Sequence, residues 1–431
     1  STGEEGGSQM MASATLADEL SPLPHGTSEN NSSPSLATAP SLSPTSKKSF
    51  YFDTPEEAKS EALRLAELHR TGDAAEVLAF MRHTFGQESV VDDPVLAAIA
   101  QRKQEVDDFC STIDSREGWI CHLDNGEKLR VLYKGTEGCS AATLRCEGLV
   151  DAPLIDILSV LNEIDLFKMW VPYFTIPIKL GLRDSLNLWR NGRIDQIDIF
   201  KVDMPWPFSN RETCLFIFAV DELESARPRI VARMYDTDHN TDKMPRDGLR
   251  CIPAVEDGAC RLGVDGGIAL YPKSANLCYL QASWTVDFKV DIPGWLITFI
   301  CRQFAWFAWR ALKHICRSAS KSPTHMSRRA HNRALYGFIE SRLKETKLLV
   351  PPAVTPLPDA MLADEDDENN AEEYDESSPH DEYYNHARTP HHDSEAILHK
   401  VAAERQQWES THPTAGGERK DTGWRAWLLG A

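Results

Sequence analysis

The 431-residue sequence lacks the patterns that mark several large classes of protein. Its ten cysteines are dispersed singly, without a CxxC pair or a cysteine–histidine cluster of zinc spacing, which argues against a zinc site and a disulfide framework. The amino terminus has no charged stretch followed by an apolar one, so no signal peptide is indicated. The longest apolar run, residues 292–312, is interrupted by Arg302, Gln303 and Arg310 and is a poor membrane span. These absences predict a cytoplasmic protein with reduced thiols.

Patterns for catalysis and cofactor binding are also missing. The glycines between Gly263 and Gly267 lack GxGxxG spacing and fall within a predicted strand, where a bulge or a turn explains them. His122, Asp124 and Cys121 could be drawn as a catalytic set, but nothing in the sequence brings a nucleophile, a base and an orienting group together. The sequence therefore predicts no enzyme activity, no metal and no cofactor.

Composition divides the chain into four parts. Residues 1–52 are rich in Ser, Thr, Pro, Gly and Asn, and residues 349–431 contain the acidic stretch ADEDDENNAEEYDE, so both ends are predicted to be disordered. Residues 53–92 are predicted to form a helical hairpin, and residues 93–348 a folded domain that ends in basic helices. We also expect residues 94–348 to fold without the ends.

Two helices are predicted in the hairpin. Asp53-Thr54-Pro55 is a typical helix start, and Thr71-Gly72-Asp73 breaks the apolar period before a second helix begins. One such unit is too few for a solenoid, because stacked repeats are needed to cover their apolar faces. The hairpin therefore either packs on the main domain or docks a protein partner, as the acidic tail also could.

The middle of the chain changes from helical to strand periodicity near Trp119. Three strand candidates and two short helices precede further strand candidates at 185–191, 193–203, 211–221, 229–236, 259–270 and 276–290, and a long helix follows Pro293. A sheet of this size protects its edges by curling around the last helix. We predict an α+β fold of the helix-grip type, a curved antiparallel sheet wrapped around a long C-terminal helix with an internal apolar cavity. A filled core is the alternative.

Two motifs resemble those of the StAR-related lipid transfer (START) family. The run MPWPFSNRE from Met204 to Glu212 is similar to the family's aromatic-Pro-Phe and Ser-Asn-Arg-acid signature, and the stretch from Cys260 to Arg302 is similar to its last strands and final helix. The resemblance spans residues 94–320. It implies a START-type domain that binds one lipid, whether sterol, diacylglycerol, ceramide or phospholipid, and transfers it between membranes without catalysis.

The resemblance also implies which residues contact the lipid. Phosphatidylcholine-specific members have an Arg and an Asp where Phe167 and Val171 stand, which predicts no choline clamp here. Sterol-binding members have a carboxylate and an Arg where Asp198 and Ile217 stand, so the acid is kept and the cation is lost. The candidate lipid-binding residues are Phe167, Trp170, Asp198, Arg211, Ile217, Arg261, Trp284, Trp295 and Phe299. An ion pair with Asp203, Glu212 or another neighbour is the alternative for Arg211 and Arg261.

Charge along the chain is uneven. The formal net charge is −19, yet residues 301–347 contain eleven Lys and Arg against Glu340 and Glu345. The C-terminal helix has aromatic residues at three- to four-residue steps, so one face is predicted to line the cavity and another to pack on the domain or contact an anionic membrane. The candidate membrane-contact residues are Arg302, Trp306, Trp309, Arg310, Lys313 and Arg317. No nucleic-acid recognition motif accompanies them.

Two other functions stay open at the level of sequence. The domain could sense a lipid and recruit a partner through the hairpin or the acidic tail. It could also be a small-molecule enzyme, since helix-grip cavities can host chemistry and fold alone does not define function.

Overall fold

The computed structural model describes residues 50–86, 93–135, 140–176 and 178–348. Nearly all of the two segments predicted to be disordered lies outside these residues. Within them the α-helices are α1 (Pro55–Glu67), α2 (Thr71–Phe85), α3 (Pro94–Asp114), α4 (Leu154–Asn162), α5 (Arg246–Leu249), α6 (Gly294–Phe299), α7 (Ala305–Ser318), α8 (Pro323–His331) and α9 (Arg333–Glu345). A 3₁₀ segment, Ile164–Met169, replaces the second short helix expected before Trp170.

One large sheet contains all of the strands in the described residues. They are β1 (Ile120–Asp124), β2 (Arg130–Gly135), β3 (Ala141–Val150), β4 (Tyr173–Phe174), β5 (Leu180–Asn191), β6 (Asp195–Asp203), β7 (Asn210–Glu222), β8 (Arg229–Asp236), β9 (Ala259–Arg261), β10 (Gly263–Ser274) and β11 (Leu277–Asp287). Their spatial order is β1-β2-β3-β11-β10-β8-β7-β6-β5-β4, and β9 pairs with β7 in parallel. Every other pairing is antiparallel.

The sheet has two differently covered faces because successive residues of a strand point to opposite sides. On the outer face, α3 packs Phe109 and Cys110 against Phe216, Phe218 and other strand residues. On the inner face, α7 packs its buried residues against Val131, Leu280 and their neighbours. The C-terminal helix therefore lies over the inner face, and the predicted helix-grip α+β fold is confirmed.

The C-terminal helix changes its period in the middle. A π-helical turn, Ile300–Phe304, joins α6 to α7. Such a turn contains an extra residue and rotates the following helix relative to the preceding one. Trp295 and Phe299 are therefore buried before the turn, whereas Ala305, Trp309 and Leu312 form the buried stripe after it. No helix in the described ranges is both long enough and apolar enough to span a membrane.

The helical hairpin and α9 meet at the turn between β7 and β8. Arg342 of α9 is 3% exposed and donates to Asp221 at 2.6 Å and Glu224 at 2.8 Å, while Arg70 before α2 reaches the same Glu224 at 3.0 Å. A Cβ on Gly72 would lie 2.1 Å from the carbonyl oxygen of Asp221, so the hairpin backbone touches the sheet. The hairpin thus packs on the main domain, whichever partners it also has.

One local expectation needs correction. Residues Gly263 to Gly267 pair regularly with Asp287 to Ser283, and the register of β10 shifts only near Ser274, so the glycines form neither a bulge nor a turn. Their small size has another reason. A Cβ on Gly266 would lie 2.7 Å from the indole of Trp284, and one on Gly267 would lie 2.9 Å from the ring of Phe109. These glycines make room for aromatic rings on the two faces.

Candidate functional site

Part of the inner face of the sheet keeps accessible surface close to the C-terminal helix. Ala232 and Ile268 lie on the central strands β8 and β10 and face one another across the pair, yet both are only half-buried. Their neighbours on the outer face, Val231 and Ala269, have no exposed surface. These half-buried residues line one region of the inner face, and we call this region the inner chamber. Its other half-buried residues are Leu144, Cys146, Phe200, Ala219 and Trp284.

Asp198 of β6 is the most unusual polar residue on this face. It is 0% exposed and pairs across the strands with Asn187 and Leu215, which places it on the inner face. Its Oδ1 accepts a 2.7 Å hydrogen bond from Asn187 Nδ2, whereas its Oδ2 has no hydrogen-bond partner among the described residues. Burial raises the pKa of Asp198 to about 7, against the opposing effect of the Asn187 hydrogen bond.

An aromatic group stands beside this carboxyl. The ring of Phe167 lies 4.9 Å from that of Trp170 and 6.0 Å from that of Phe200, which is two residues along β6 from Asp198 and on the same face. The 3₁₀ segment is fixed here because Ser185 donates to the Ile164 carbonyl and the backbone N–H of Asn187 donates to Asp165. Trp170 Nε1 is also buried without an acceptor in the described part of the chain.

Two further predicted residues lie on the inner face. Ile217 is 8% exposed and belongs to an apolar cluster with Leu215 and Met234. Trp284 of β11 stands opposite Gly266 and directs its Nε1 at the sulfur of Met234, 3.1 Å away. The structure thus brings Phe167, Trp170, Asp198, Ile217 and Trp284 to one side of the sheet.

The two predicted arginines occupy different places. Arg211 starts β7 on the inner face, but it donates to the carbonyls of Ser209 and Phe288 rather than to a carboxylate, so the alternative of an ion pair is wrong for it. Burial lowers the pKa of Arg211. Arg261 instead pairs with Glu212 at 2.6 Å on the outer face. This placement corrects the expected lipid contact of Arg261.

Trp295 and Phe299 close one end of the interior. Both are nearly inaccessible and pack with Ile178, Leu180 and Met204. The ring of Phe299 lies 5.3 Å from that of Phe174. At this end, the start of the C-terminal helix therefore packs on the loops that precede β5 and β7.

The predicted membrane-contact residues differ in exposure. Arg302 is exposed, and Trp306 is half-buried beneath the Arg310 guanidinium, 4.9 Å from the centre of its ring. Trp309 and Lys313 are 6% and 8% exposed, which corrects their expected contact with a bilayer because neither presents its side chain at the surface.

Distant acids neutralise much of the basic segment. Arg317 pairs with Asp151 at 2.6 Å, Arg328 lies 3.5 Å from Asp165, and Arg329 binds Asp156. Arg342 pairs with Asp221 and Glu224, as described above. The charge excess of this segment in the sequence therefore overstates the charge that it presents at the surface.

Sequence reasoning missed an exposed apolar group at the same end of the interior. Trp206, in the loop between β6 and β7, is 62% exposed, and Ile176, in the loop before β5, is 56% exposed. Their neighbours Met204 and Ile178 pack on Trp295. The motif MPWPFSNRE contains Trp206, but only the fold shows that this side chain points outward.

The described residues offer no cluster of three or more His, Cys, Asp or Glu that could hold a metal ion. A separate polar cavity of about 210 Å³ lies where α2, α3 and the β7–β8 turn meet. Lys103, Glu222 and Arg229 line it, and both cations pair with Glu222, so its walls are part of the ion-pair network that anchors the hairpin.

Comparison with known proteins gave similar solved structures, of which three are described. Human STARD10 has a TM-score of 0.41 at 15% identity, covering 56% of this chain and 87% of its own. Human StAR-related lipid transfer protein 5 has a TM-score of 0.39 at 11% identity, covering 52% and 97%. The Xanthomonas axonopodis STAR-related lipid transfer protein has a TM-score of 0.34 at 19% identity, covering 47% and 99%.

The chain is similar to START domains. No family model and no curated protein matches the sequence. The fold described here rests on the strand order and on the helix that covers the inner face.

Proposed function

We propose that this protein binds one lipid in the inner chamber and transfers it between membranes. The accessible surface that Ala232 and Ile268 keep at the centre of the sheet, beneath the C-terminal helix, supports this most strongly. A hydrocarbon chain in that space would remove apolar surface from water on both partners, at about 25 cal/mol per Å². Asp198 supports the same function, because its Oδ2 would gain a partner from the polar end of a lipid.

The chamber can be tested by filling it. In Ala232→Phe, the larger side chain would occupy the space beside Ile268, and we expect transfer of a fluorescent lipid from donor to acceptor vesicles to fall by about tenfold or more. Ala334→Phe makes the same change at an exposed position of α9 and should transfer like the parent. Equal transfer by Ala232→Phe, with unchanged thermal unfolding, would reject the chamber as the binding site.

Membrane contact is proposed at the end of the interior that Trp295 closes. Trp206 and Ile176 extend from loops packed on the first turn of the C-terminal helix, and an amphipathic tryptophan is suited to the membrane–water interface. Arg302, exposed farther along this helix, would add attraction to anionic lipids of about 1 kcal/mol. Docking here would place the membrane next to the loops that must separate for a lipid to enter.

Vesicle co-sedimentation tests this surface. We expect Trp206→Ala to weaken binding to anionic vesicles by about 1.5 to 3 kcal/mol, the cost of leaving one aromatic side chain unburied. Tyr51→Ala removes another exposed aromatic residue, 80% exposed at the start of the described chain, and should bind like the parent. If both variants sediment like the parent at low salt, docking does not use the Trp206 loop.

A lipid-sensing scaffold is the second candidate. The ion pairs of Arg342 and Arg70 connect the hairpin, α9 and the β7–β8 turn, so a change in the sheet could reach the surface of the hairpin. Lipid-dependent partner capture without vesicle transfer would favour the sensor over the transfer protein.

We place neither catalysis nor a cofactor in this function. The neighbour of Asp198 is Asn187, an amide that does not titrate, so the acid has no hydrogen-bonded base beside it. The nine cysteines of the described ranges are free thiols, which suits the reducing cytoplasm. The proposed place of action is therefore the cytoplasmic surface of membranes.

A further inference from the structure

The polar end of the chamber is acidic. Asp198 is completely buried, and its carboxylate oxygen Oδ2 has no hydrogen-bond donor in the described residues. Two other acids stand near it. Asp165 accepts from the backbone of Asn187, the residue that also binds Asp198, and its other carboxylate oxygen lies 3.5 Å from Arg328. Glu163 is 5% exposed at the end of α4. An anionic group entering here would meet like charge.

No Lys or Arg of the described residues forms a hydrogen bond or an ion pair with this carboxylate, although the charge of Arg190 acts to lower its pKa. Of the strand residues that the structure describes, two cations lie on the inner face, Arg190 and Arg211, each at a strand end. Arg190 is exposed and donates to the carbonyl of Asn162, while Arg211 donates to the carbonyls of Ser209 and Phe288. A buried carboxylate without a countercharge is costly, so a ligand that brings a positive charge would gain most at this point.

Aromatic rings stand at the same place. Phe167 contacts Trp170 at 4.9 Å and Phe200 at 6.0 Å between ring centres, and Phe200 shares its face and strand with Asp198. Aromatic faces attract ammonium groups through their quadrupole. A carboxylate next to several rings therefore suits a protonated amine. The carboxylate would repel a phosphate, and a hydroxyl group would leave the negative charge of the carboxylate uncompensated.

We infer that the inner chamber selects a long-chain amphiphile whose polar end is a protonated amine, bound by Asp198 and the rings of Phe167, Trp170 and Phe200. This inference rests on the proposed function, because it requires that the chamber takes a lipid. The amine would supply the positive charge that the protein does not place beside Asp198, and the hydrocarbon chain would lie along Ile268 and Trp284.

Three probes with the same hydrocarbon chain test the inference on the full chain: sphingosine, N-acetylsphingosine and sphingosine 1-phosphate. Their amine is respectively protonated, neutralised as an amide, and accompanied by phosphate. Dissociation constants would be measured by calorimetry below the micellar concentration of each probe. We expect sphingosine to bind about tenfold more tightly than N-acetylsphingosine, with the phosphate weakest.

Two variants identify the group responsible. Asp198→Asn should lower the affinity for sphingosine by about tenfold and change that for N-acetylsphingosine by less than about twofold. Asp195→Asn removes an acid three positions away, whose side chain binds Arg102 on the outer face, and should bind sphingosine like the parent. Thermal unfolding of each variant verifies that it is folded.

The outcomes separate the two proposals. If N-acetylsphingosine binds as tightly as sphingosine, or if Asp198→Asn leaves the affinity for sphingosine unchanged, the amine inference is overturned while lipid binding stands. If no probe binds and fluorescent phospholipid and sterol also fail to load, the proposed function falls together with the inference.

Discussion

Glu147 and Asp198 are two buried carboxylates on opposite faces of one sheet, and the side chains that surround them differ in charge. Glu147, on the outer face, is 1% exposed and contacts Arg116, Arg130 and Arg145. Its pKa falls to about 2 because hydrogen bonds from Gln281 and the arginines, together with their charge, outweigh its burial. Asp198, at 0% exposed, has one amide neighbour, and burial raises its pKa to about 7.

The contrast separates a structural charge from a charge available to a ligand. On the outer face, the buried carboxylates of the described strands each contact a Lys or Arg; these are Glu147, Asp195, Asp203, Glu212 and Glu222. Stability favours such pairing once the charges are buried. An acid left without a cation on the other face therefore indicates a site where stability has been given up, as is common at binding sites.

The largest expected change in stability comes from replacing Glu147, the carboxylate that the arginines compensate. Glu147→Gln leaves three arginines around a neutral side chain, one of them, Arg145, with no exposed surface. We expect the free energy of unfolding at pH 7 to fall by about 3 to 5 kcal/mol, measured by urea denaturation.

The same variant has a defined pH dependence. Since the folded-state pKa of Glu147 is depressed to about 2, its stabilisation is present above the ordinary pKa near 4.5 and is lost as the pH falls toward 2. Parent and variant should therefore converge in strongly acidic solution. A difference below about 1 kcal/mol at pH 7 would show that the arginines do not depend on this carboxylate.

The opposite sign is expected for the uncompensated acid. Asp198→Asn removes a charge whose folded-state pKa is raised from 3.8 to about 7, so the parent loses stability as the pH rises from 4 through 7. At pH 8 the variant should be more stable by about 4 kcal/mol, and the gain should vanish near pH 4. Destabilisation by Asp198→Asn at pH 8 would mean that the carboxylate is compensated in the ligand-free protein.

A smaller loss is expected for an outer-face acid on the same strand. Asp195 is 9% exposed and pairs bidentately with Arg102, at 2.9 and 2.7 Å, but Arg102 itself is partly exposed. Asp195→Asn should cost about 1 to 2 kcal/mol in urea unfolding, because water screens part of the interaction. A gain in stability would make Asp195 resemble Asp198 and remove the distinction between the faces.

The smallest change in stability is expected when the inner face receives its missing cation. Ile217 is on the strand next to Asp198, diagonal to it, so Ile217→Arg would make Asp198 resemble Glu147. The net free energy should change by about 1 kcal/mol or less, as ion pairing offsets the lost apolar packing. The pKa of Asp198, followed by carbon-13 NMR, should fall below 5. A pKa that stays near 7 would show that the two side chains do not meet.

Much of the fold followed from local patterns. The six long strands β5 to β8, β10 and β11 were predicted within a few residues, except that β5 starts earlier and the predicted strand at 259–270 combines β9 with most of β10. Alternation of apolar and polar residues predicts where the strands lie, because shifting a strand by one residue would turn its apolar side chains to the opposite face of the sheet.

The C-terminal helix could not be interpreted fully from its sequence. Its aromatic steps assume one helical period throughout, but the π turn at 300–304 shifts the phase between Trp295 and Phe299 before it and Trp306 and Trp309 after it. The basic residues after it are paired with acids more than 100 positions away, such as Arg317 with Asp151. Neither the π turn nor these distant ion pairs can be predicted from local charge or from the period of the apolar residues.

The site was partly visible in the sequence. Asp198 and Ile217 were selected through the resemblance to START proteins, whereas the burial of Asp198 and its bond to Asn187 depend on strand register. The contact of Phe167 with Phe200 brings together residues 33 positions apart and required the fold. Trp206 was within a quoted motif, but its exposure depends on the loop conformation.

Native mass spectrometry of the full chain, purified gently from cells, would detect a lipid in the inner chamber. We expect one lipid-sized adduct per chain in the parent, its persistence in the surface control Ala334→Phe, and its loss in Ala232→Phe, with all three proteins unfolding at similar temperatures. A lipid that remains bound in stoichiometric amount to Ala232→Phe, or a bare parent chain that cannot be loaded from vesicles, would contradict a ligand chamber beneath the C-terminal helix.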